Sequence, residues 1–227
     1  MLKELIDQFY LDREEERQQH RFYITDAGKC PRAIFLKFKK APREKMAPEV
    51  LRMFDHGDYI QMQILNALFS LGIVRAAEVE IPPQEIISGR ADAIVTINNE
   101  LYVVDFKSIN SLIFKTLSSP REENVYQLQL YLHFFKIPKG ILLYINKDTL
   151  ELKEFLIHYD KHLAEKLLSD LMSLKEKIDK NILPPQLINF PNDWQCKYCV
   201  FFEICQIAGK KEIAWENLKA KIETLKD

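Results

Sequence analysis

Of the four cysteines in this 227-residue chain, three crowd into CKYCVFFEIC near the C-terminus, as Cys196, Cys199 and Cys205. The fourth, Cys30, stands alone near the N-terminus. If all four serve one centre, the fold between them must bring the two ends of the chain together. Cys-x2-Cys puts two thiolates on one tight turn, a spacing that suits a tetrahedral metal or one face of an iron–sulfur cube. A third cysteine six residues on can reach the same centre. Spacing leaves zinc and [4Fe–4S] both open, with two disulfides or buried free thiols as competing uses. The N-terminal stretch MLKELIDQFYLDREEERQQH lacks the apolar core of a signal peptide. The expected compartment is therefore reducing and cytoplasmic, which disfavours structural disulfides. Phe201 and Phe202 would shield either kind of centre from water.

Composition narrows the class. No apolar run approaches the roughly 20 residues needed to span a bilayer, so no membrane protein is expected. With 47% hydrophobic residues and six glycines, the chain has enough apolar surface for a sizeable core, and long disorder is not expected. The 32 Lys+Arg against 33 Asp+Glu give a net charge of −1, which does not advertise nucleic acid. That average conceals a local excess. From Lys29 to Lys45 there are seven basic residues, Lys29, Arg32, Lys37, Lys39, Lys40, Arg43 and Lys45, against one acid, Glu44. The segment is either a solvated surface or a basic patch.

Periodicity gives the order of elements. Apolar residues at Leu2, Leu5, Ile6, Phe9 and Tyr10 predict a helix over 2–20, and a second helix follows Pro31. Residues 48–71 read as a longer helix. The period then changes: Ile73–Ile81, Ile86–Ile97 and Leu101–Lys107 read as strands, with INNELYVVDFK as a hairpin. Helical spacing returns over 121–136. Ile141–Asn146 and Leu150–Ile157 are two further strands, and helices follow over 160–179 and 210–226. This order predicts an α/β core with a helical, cysteine-bearing cap formed by both chain ends. It divides into residues 1–72, a helical region with the first cysteine and the basic patch; 73–180, the core; and 181–227, the cysteine cluster and terminal helix. The three are expected to form one integrated domain.

Two acidic motifs carry the chemistry. SGRADAIV contains Asp92, and YVVDFKS contains Asp105 and Lys107. Asp105 follows a strand that reads as buried, where a charge is costly unless paired or metal-bound. Asp105 and Lys107 are two residues apart and share a strand face, and a hairpin can bring Asp92 beside them. Two neighbouring carboxylates suit a hard cation such as Mg²⁺; the alternative is an ordinary Asp–Lys ion pair. In NVYQLQLYLHFF, Gln127 and Tyr131 lie four apart on one helix face. Gln129 is expected to face elsewhere, and His133 to sit at a core edge.

In combination, GRADAIV, VVDFKS and QLQLY resemble the sequential pattern of the RecB-like branch of the PD-(D/E)XK nucleases. The leading Cys-Pro-Arg and the terminal C-x2-C-x5-C resemble that branch's iron–sulfur members: the Cas-four exonucleases of CRISPR systems, the AddB nuclease domain and related phage nucleases. The resemblance implies a restriction-endonuclease-like core and a metal-dependent exonuclease acting on single-stranded DNA or frayed ends. Asp92 and Asp105 would bind Mg²⁺ or Mn²⁺ with the Phe106 carbonyl. Lys107 would be the catalytic lysine, and Gln127 and Tyr131 would be the family's Q-x3-Y pair. Cys30, Cys196, Cys199 and Cys205 would ligate a structural [4Fe–4S] cluster, with zinc as the lesser alternative. Lys29, Arg32, Lys37, Lys39 and Lys40 would help guide DNA. A CRISPR integrase or repair proteins are the implied partners.

One departure stands out. The family commonly carries a His four residues after a Gly on the helix before the strands; in FDHGDYIQ, Gln61 holds that position and His56 precedes Gly57. His56 points about 140° away from Gln61 on an ideal helix, so either residue, or neither, could complete the metal site. Glu78 and Glu80 read as surface charges, with supply of a carboxylate to the site as the alternative. The departure also leaves room for a catalytically weak DNA-binding or docking subunit.

Overall fold

A computed structural model describes residues 1–13 and 18–223. In chain order it contains α1 (Leu2–Arg13), β1 (Phe22–Tyr23), α2 (Pro31–Phe38), α3 (Pro48–Ser70), β2 (Val74–Glu80), β3 (Ile87–Ser88), β4 (Arg90–Ile97), β5 (Glu100–Ile109), α4 (Ser111–Thr116), α5 (Glu122–Phe135), β6 (Lys139–Asn146), β7 (Leu152–His158), α6 (Lys161–Asp179), β8 (Ile182–Leu183), α7 (Trp194–Lys197), α8 (Phe202–Ala208), β9 (Ile213–Ala214) and α9 (Trp215–Glu223). The expected α/β class and element order hold. Three boundaries differ. Residues 18–20 are not helical, and residues 14–17 of the expected first helix lie outside the described residues. The expected strand Ile86–Ile97 is divided at Gly89 into β3 and β4. The last helix begins at Trp215, and residues 224–226 of its expected span lie outside the described residues.

The chain forms two compact units, one of residues 21–27 and 49–167, the other of residues 1–20, 28–48 and 168–227. The first is built on a mixed sheet in the order β2-β4-β5-β6-β7, in which only β5 and β6 run parallel. The β4–β5 hairpin turns on Asn98 and Asn99, with φ of 50° and 65°. Two successive left-handed residues match the type I′ geometry that the strand twist favours, and Asn tolerates it. One face of the sheet packs on α3: Ala93, Val95, Val104, Phe106 and Ile145 meet Ile60 and Leu65. On β6, a Cβ at Gly140 would lie 2.9 Å from the Leu128 side chain of α5, so a small residue there lets the helix seat on the sheet.

Strand alternation follows. Val104 and Phe106 face α3, so Asp105 and Lys107 project from the opposite face, where the α5 side chain Gln127 meets both.

In the second unit, Pro31 opens α2 at its first turn, where a missing N–H costs nothing. That helix buries Ile34, Phe35, Leu36 and Phe38, with Phe35 edge-on to Trp215 of α9 at 6.1 Å. The short strands β8 and β9 pair antiparallel.

Candidate active site and cysteine cluster

The first unit brings Asp92, Asp105, Lys107, Gln127 and Tyr131 into one neighbourhood. The β4–β5 register runs Ile94↔Val103 and Ala93↔Val104, and one further step sets Asp92 against Asp105. There the Asp92 carboxylate accepts the Phe106 backbone N–H at 2.7 Å. Asp105 is 1% exposed. Its Oδ1 accepts Gln127 Nε2 at 3.0 Å, and its Oδ2 lies 2.7 Å from Lys107 Nζ. That second contact is an ion pair without good hydrogen-bond alignment, so Oδ2 keeps hydrogen-bonding capacity to spare. Lys107 Nζ also donates to Gln127 Oε1 at 2.9 Å, which closes a three-membered ring of side chains. Tyr131, one turn beyond Gln127, donates its hydroxyl to the Arg90 carbonyl at 2.7 Å and stacks on Phe135.

Burial sets the electrostatics. The Asp92 carboxyl is pushed up to about 7, first by desolvation and then by the charge of Asp105; the Phe106 N–H and Lys107 pull the other way. Asp105 is also raised by burial, against the attraction of Lys107. The Tyr131 hydroxyl is raised by burial with the two aspartates adding to it, so it remains a donor. Two carboxylates that resist ionisation side by side form a site whose charge balance favours an added cation.

Two further residues complete the picture. Ala77↔Ala93 and Val79↔Ala91 place Glu78 of β2 beside Asp92, and Glu78 adds to the upward shift of Asp92. Its carboxylate accepts Gln61 Nε2 at 2.8 Å and pairs with Arg90 Nε at 2.7 Å. Glu78 has a φ of 53°, an unusual conformation for a non-glycine residue in a strand. In the sequence Glu78 reads as a surface charge with a carboxylate to offer as the alternative, and nothing local signals that backbone conformation. Asp148 accepts the Ser111 N–H, which together with the Ser111 side chain holds its carboxyl low, and His56 adds a smaller contribution. Gln129 ties α5 to the end of β7 through the His158 carbonyl and the Asp160 N–H. His133 meets the Tyr159 hydroxyl at 2.8 Å.

Comparison with known proteins identifies the family. The family model of the PD-(D/E)XK nuclease superfamily matches residues 2–206. The chain belongs to that superfamily. Among its relatives, the CRISPR-associated exonuclease Cas4 of Saccharolobus solfataricus is 28% identical over 206 residues, which is 83% of this chain and 89% of that protein. The crystal structure of SSO0001 superposes with a TM-score of 0.60 at 25% identity, covering 90% of this chain and 96% of that one. LHK-Exo, an alkaline exonuclease from Laribacter hongkongensis, has been solved in complex with dAMP. That complex shares the fold, with a TM-score of 0.52 at 13% identity over 78% of this chain and 95% of its own.

This PD-(D/E)XK chain also carries the cysteines, in the second unit. Cys30, Cys196, Cys199 and Cys205 line one cavity with Leu36, Phe190, Phe201 and Phe202, and none is in a disulfide. The Cys30 N–H donates to Gln195 Oε1 at 2.8 Å, tying the lone cysteine to the residue before Cys196. Phe190 and Phe202 stack at 5.4 Å. Burial raises the thiols of Cys30, Cys199 and Cys196, the last to about 11, and the neighbouring cysteines add to each shift. Left to themselves these thiols stay protonated at neutral pH; a cationic centre would draw them into thiolates. Four thiols around an apolar-walled cavity fit an iron–sulfur centre by donor type and number. Among the described residues, no group of three or more His, Cys, Asp or Glu is gathered tightly enough to hold a single metal ion.

The basic segment does not form one solvated patch. Arg32, expected at the DNA, is 1% exposed, and its donors are taken by backbone carbonyls of the C-terminal segment. Lys39 Nζ donates to the Ile178 carbonyl at 2.9 Å and to Asn181. Lys29 lies over the Trp194 ring at 4.9 Å. Lys37 and Lys40 are exposed. No described helix is long and apolar enough to cross a membrane.

Proposed function

We propose that the chain is a divalent-metal-dependent DNA exonuclease acting on single-stranded DNA or frayed ends. The observation that carries this reading is the closed ring of Asp105, Lys107 and Gln127 with Asp92 alongside. Asp92, Asp105 and the Phe106 carbonyl would hold Mg²⁺ or Mn²⁺. When bound, such an ion lowers the pKa of a coordinated water and offsets charge on the phosphate. Gln127 fixes the rotamers of Asp105 and Lys107 together. With the Asp105 charge matched by a bound cation, the Lys107 ammonium would orient the attacking water or stabilise developing negative charge. Tyr131, protonated and held by the Arg90 carbonyl, braces the helix against β4.

The cysteines would hold a structural [4Fe–4S] cluster. Thiols that line a cavity suit a multi-iron centre better than one zinc ion, which needs every sulfur about 2.3 Å from a single point. In this reading the unit of residues 21–27 and 49–167 carries out hydrolysis, while that of residues 1–20, 28–48 and 168–227 carries the cluster. Lys37 and Lys40 are the DNA-guiding candidates that remain exposed. The similarity to a CRISPR-associated exonuclease supports a role in spacer acquisition beside an integrase; recombination or repair is the alternative setting.

The test is degradation of end-labelled single-stranded DNA with Mg²⁺ or Mn²⁺, using Asp105→Ala and a circular substrate as controls. Activity on linear DNA that the variant lacks is expected, and equal activity in both proteins overturns the site. A second reading, a DNA-binding or docking subunit with weak catalysis, is favoured by one observation. Gln61 stands where the resembled family has His and is engaged with Glu78. DNA binding without cleavage under any metal would select it.

A further inference from the structure

Among the described residues Arg32 is one of the largest fully buried side chains, and no carboxylate pairs with it there. Its Nε donates to the Pro184 carbonyl at 2.8 Å. Its Nη1 reaches the carbonyls of Gly209 at 2.8 Å and Cys205 at 3.2 Å, and its Nη2 reaches that of Lys211 at 3.0 Å. These bonds engage all three guanidinium nitrogens, but carbonyl dipoles do not cancel a full charge. Guanidinium does not deprotonate in proteins, so a net positive charge is enclosed here. Buried charges are expensive unless matched by an opposite one. The group that can supply the match is Cys205, whose Sγ lies 3.4 Å from Nη1. Cys205 also lines the cavity shared by all four cysteines, as does Arg32.

We propose that Arg32 is the built-in counter-cation of an anionic thiolate-bound centre. It hydrogen-bonds to the Cys205 sulfur while its carbonyl contacts fix the segments on either side of that ligand. This rests on the iron–sulfur reading above. Four thiolates around a [4Fe–4S] core leave the centre net negative, and reduction adds a further electron. A fixed cation and an N–H···S bond stabilise the reduced form and raise the potential. Arg32 is thus a positioning and tuning residue and not a DNA contact.

The test uses the full chain purified anaerobically as wild type, Arg32→Lys and Arg32→Gln. Iron, zinc and sulfide content are measured along with the reduction midpoint of the bound centre. Wild type is expected to carry iron and sulfide. Arg32→Gln should show a more negative midpoint or lose its centre faster, and Arg32→Lys should keep a midpoint close to wild type. A folded Arg32→Gln protein with wild-type iron content and midpoint overturns the proposal. If Arg32→Gln does not fold, Arg32→Lys decides: a loaded centre with the wild-type midpoint supports the charge role, and a folded, metal-free protein refutes it. A wild-type chain loaded with zinc instead overturns the cluster reading alone. The same variants then test Arg32 through zinc affinity, where weaker binding by Arg32→Gln than by Arg32→Lys is expected and equal affinities refute the proposal.

Discussion

Replacing Asp92 with Asn should abolish cleavage and yet make the divalent-metal-free protein more stable above neutral pH. The Asp92 carboxyl titrates near 7 in the folded chain, against about 3.9 in an unfolded one. Between those values the folded state holds a proton that the unfolded state has released, so stability falls as pH rises. The slope from this one group is at most about 1.4 kcal/mol per pH unit, and the loss levels off above pH 7. Three units would give a ceiling of about 4 kcal/mol. Because Asp92 and Asp105 titrate together, about 1–3 kcal/mol is the working figure. An Asn at this position carries no charge, and its side-chain oxygen can still accept the Phe106 N–H that Asp92 accepts now. Wild type and Asp92→Asn should therefore be nearly equal at pH 4.5 and diverge to pH 8 in favour of the variant. For a chain of this size that is roughly 2–10 °C in melting temperature. The assay is thermal melting followed by circular dichroism, in buffers stripped of divalent ions, across that range. Taking the difference between the two proteins cancels the titration of every group they share. Mg²⁺ should then stabilise wild type at pH 8 and leave the variant unmoved. An Asp92→Asn protein that melts below wild type at pH 8 without divalent ions would refute the reasoning, because burial and like-charge repulsion could not then dominate at this carboxyl.

Three other outcomes are expected. Gln127→Leu removes one partner each from buried Asp105 and from Lys107, and should cost about 1–3 kcal/mol in denaturant melts as well as most of the cleavage rate. Gly140→Ala drives a Cβ into Leu128 and should lower stability by about 1–3 kcal/mol, while the folded fraction cleaves with an unchanged metal optimum. Mn²⁺ affinity in titration calorimetry should change more on substitution of Gln61, which holds Glu78 beside Asp92, than in His56→Ala.

What could be read from the sequence was whatever local periodicity records. Alternation in LYVVDFK set Asp105 and Lys107 on one strand face, and four-residue spacing set Gln127 and Tyr131 on one helix face; the structure keeps both relations. Asn98-Asn99 marked the hairpin that sets Asp92 opposite Asp105. What escaped depends on distant chain. Arg32 stands in a run of basic residues and reads as surface, because nothing local reveals that Pro184, Gly209 and Lys211 will wrap it in carbonyls. Glu78 reads as a surface charge, since nothing local in the sequence reveals its left-handed backbone or its contacts with Gln61 and Arg90. The helices α4, α7 and α8 span four to seven residues, too short to show a period of 3.6.

The two regions share an energetic logic of opposite sign. In one, Asp105 is buried with a single ammonium nearby and a second carboxylate facing it, so negative charge is in excess. In the other, Arg32 is buried and no acid pairs with it among the described residues, so the excess is positive. An interior selected for stability alone would replace such groups with apolar residues of similar volume, often at no cost. Their retention makes sense if each excess is cancelled by something the chain itself does not encode: a cation against the aspartates and an anionic centre against the arginine. Both folded regions would then be most stable when loaded, and loading would be linked to folding by mass action. Removing divalent ions should weaken the first region reversibly. Losing the thiolate-bound centre should leave Arg32 uncompensated and weaken the second, so limited proteolysis after each treatment should cut at different sites.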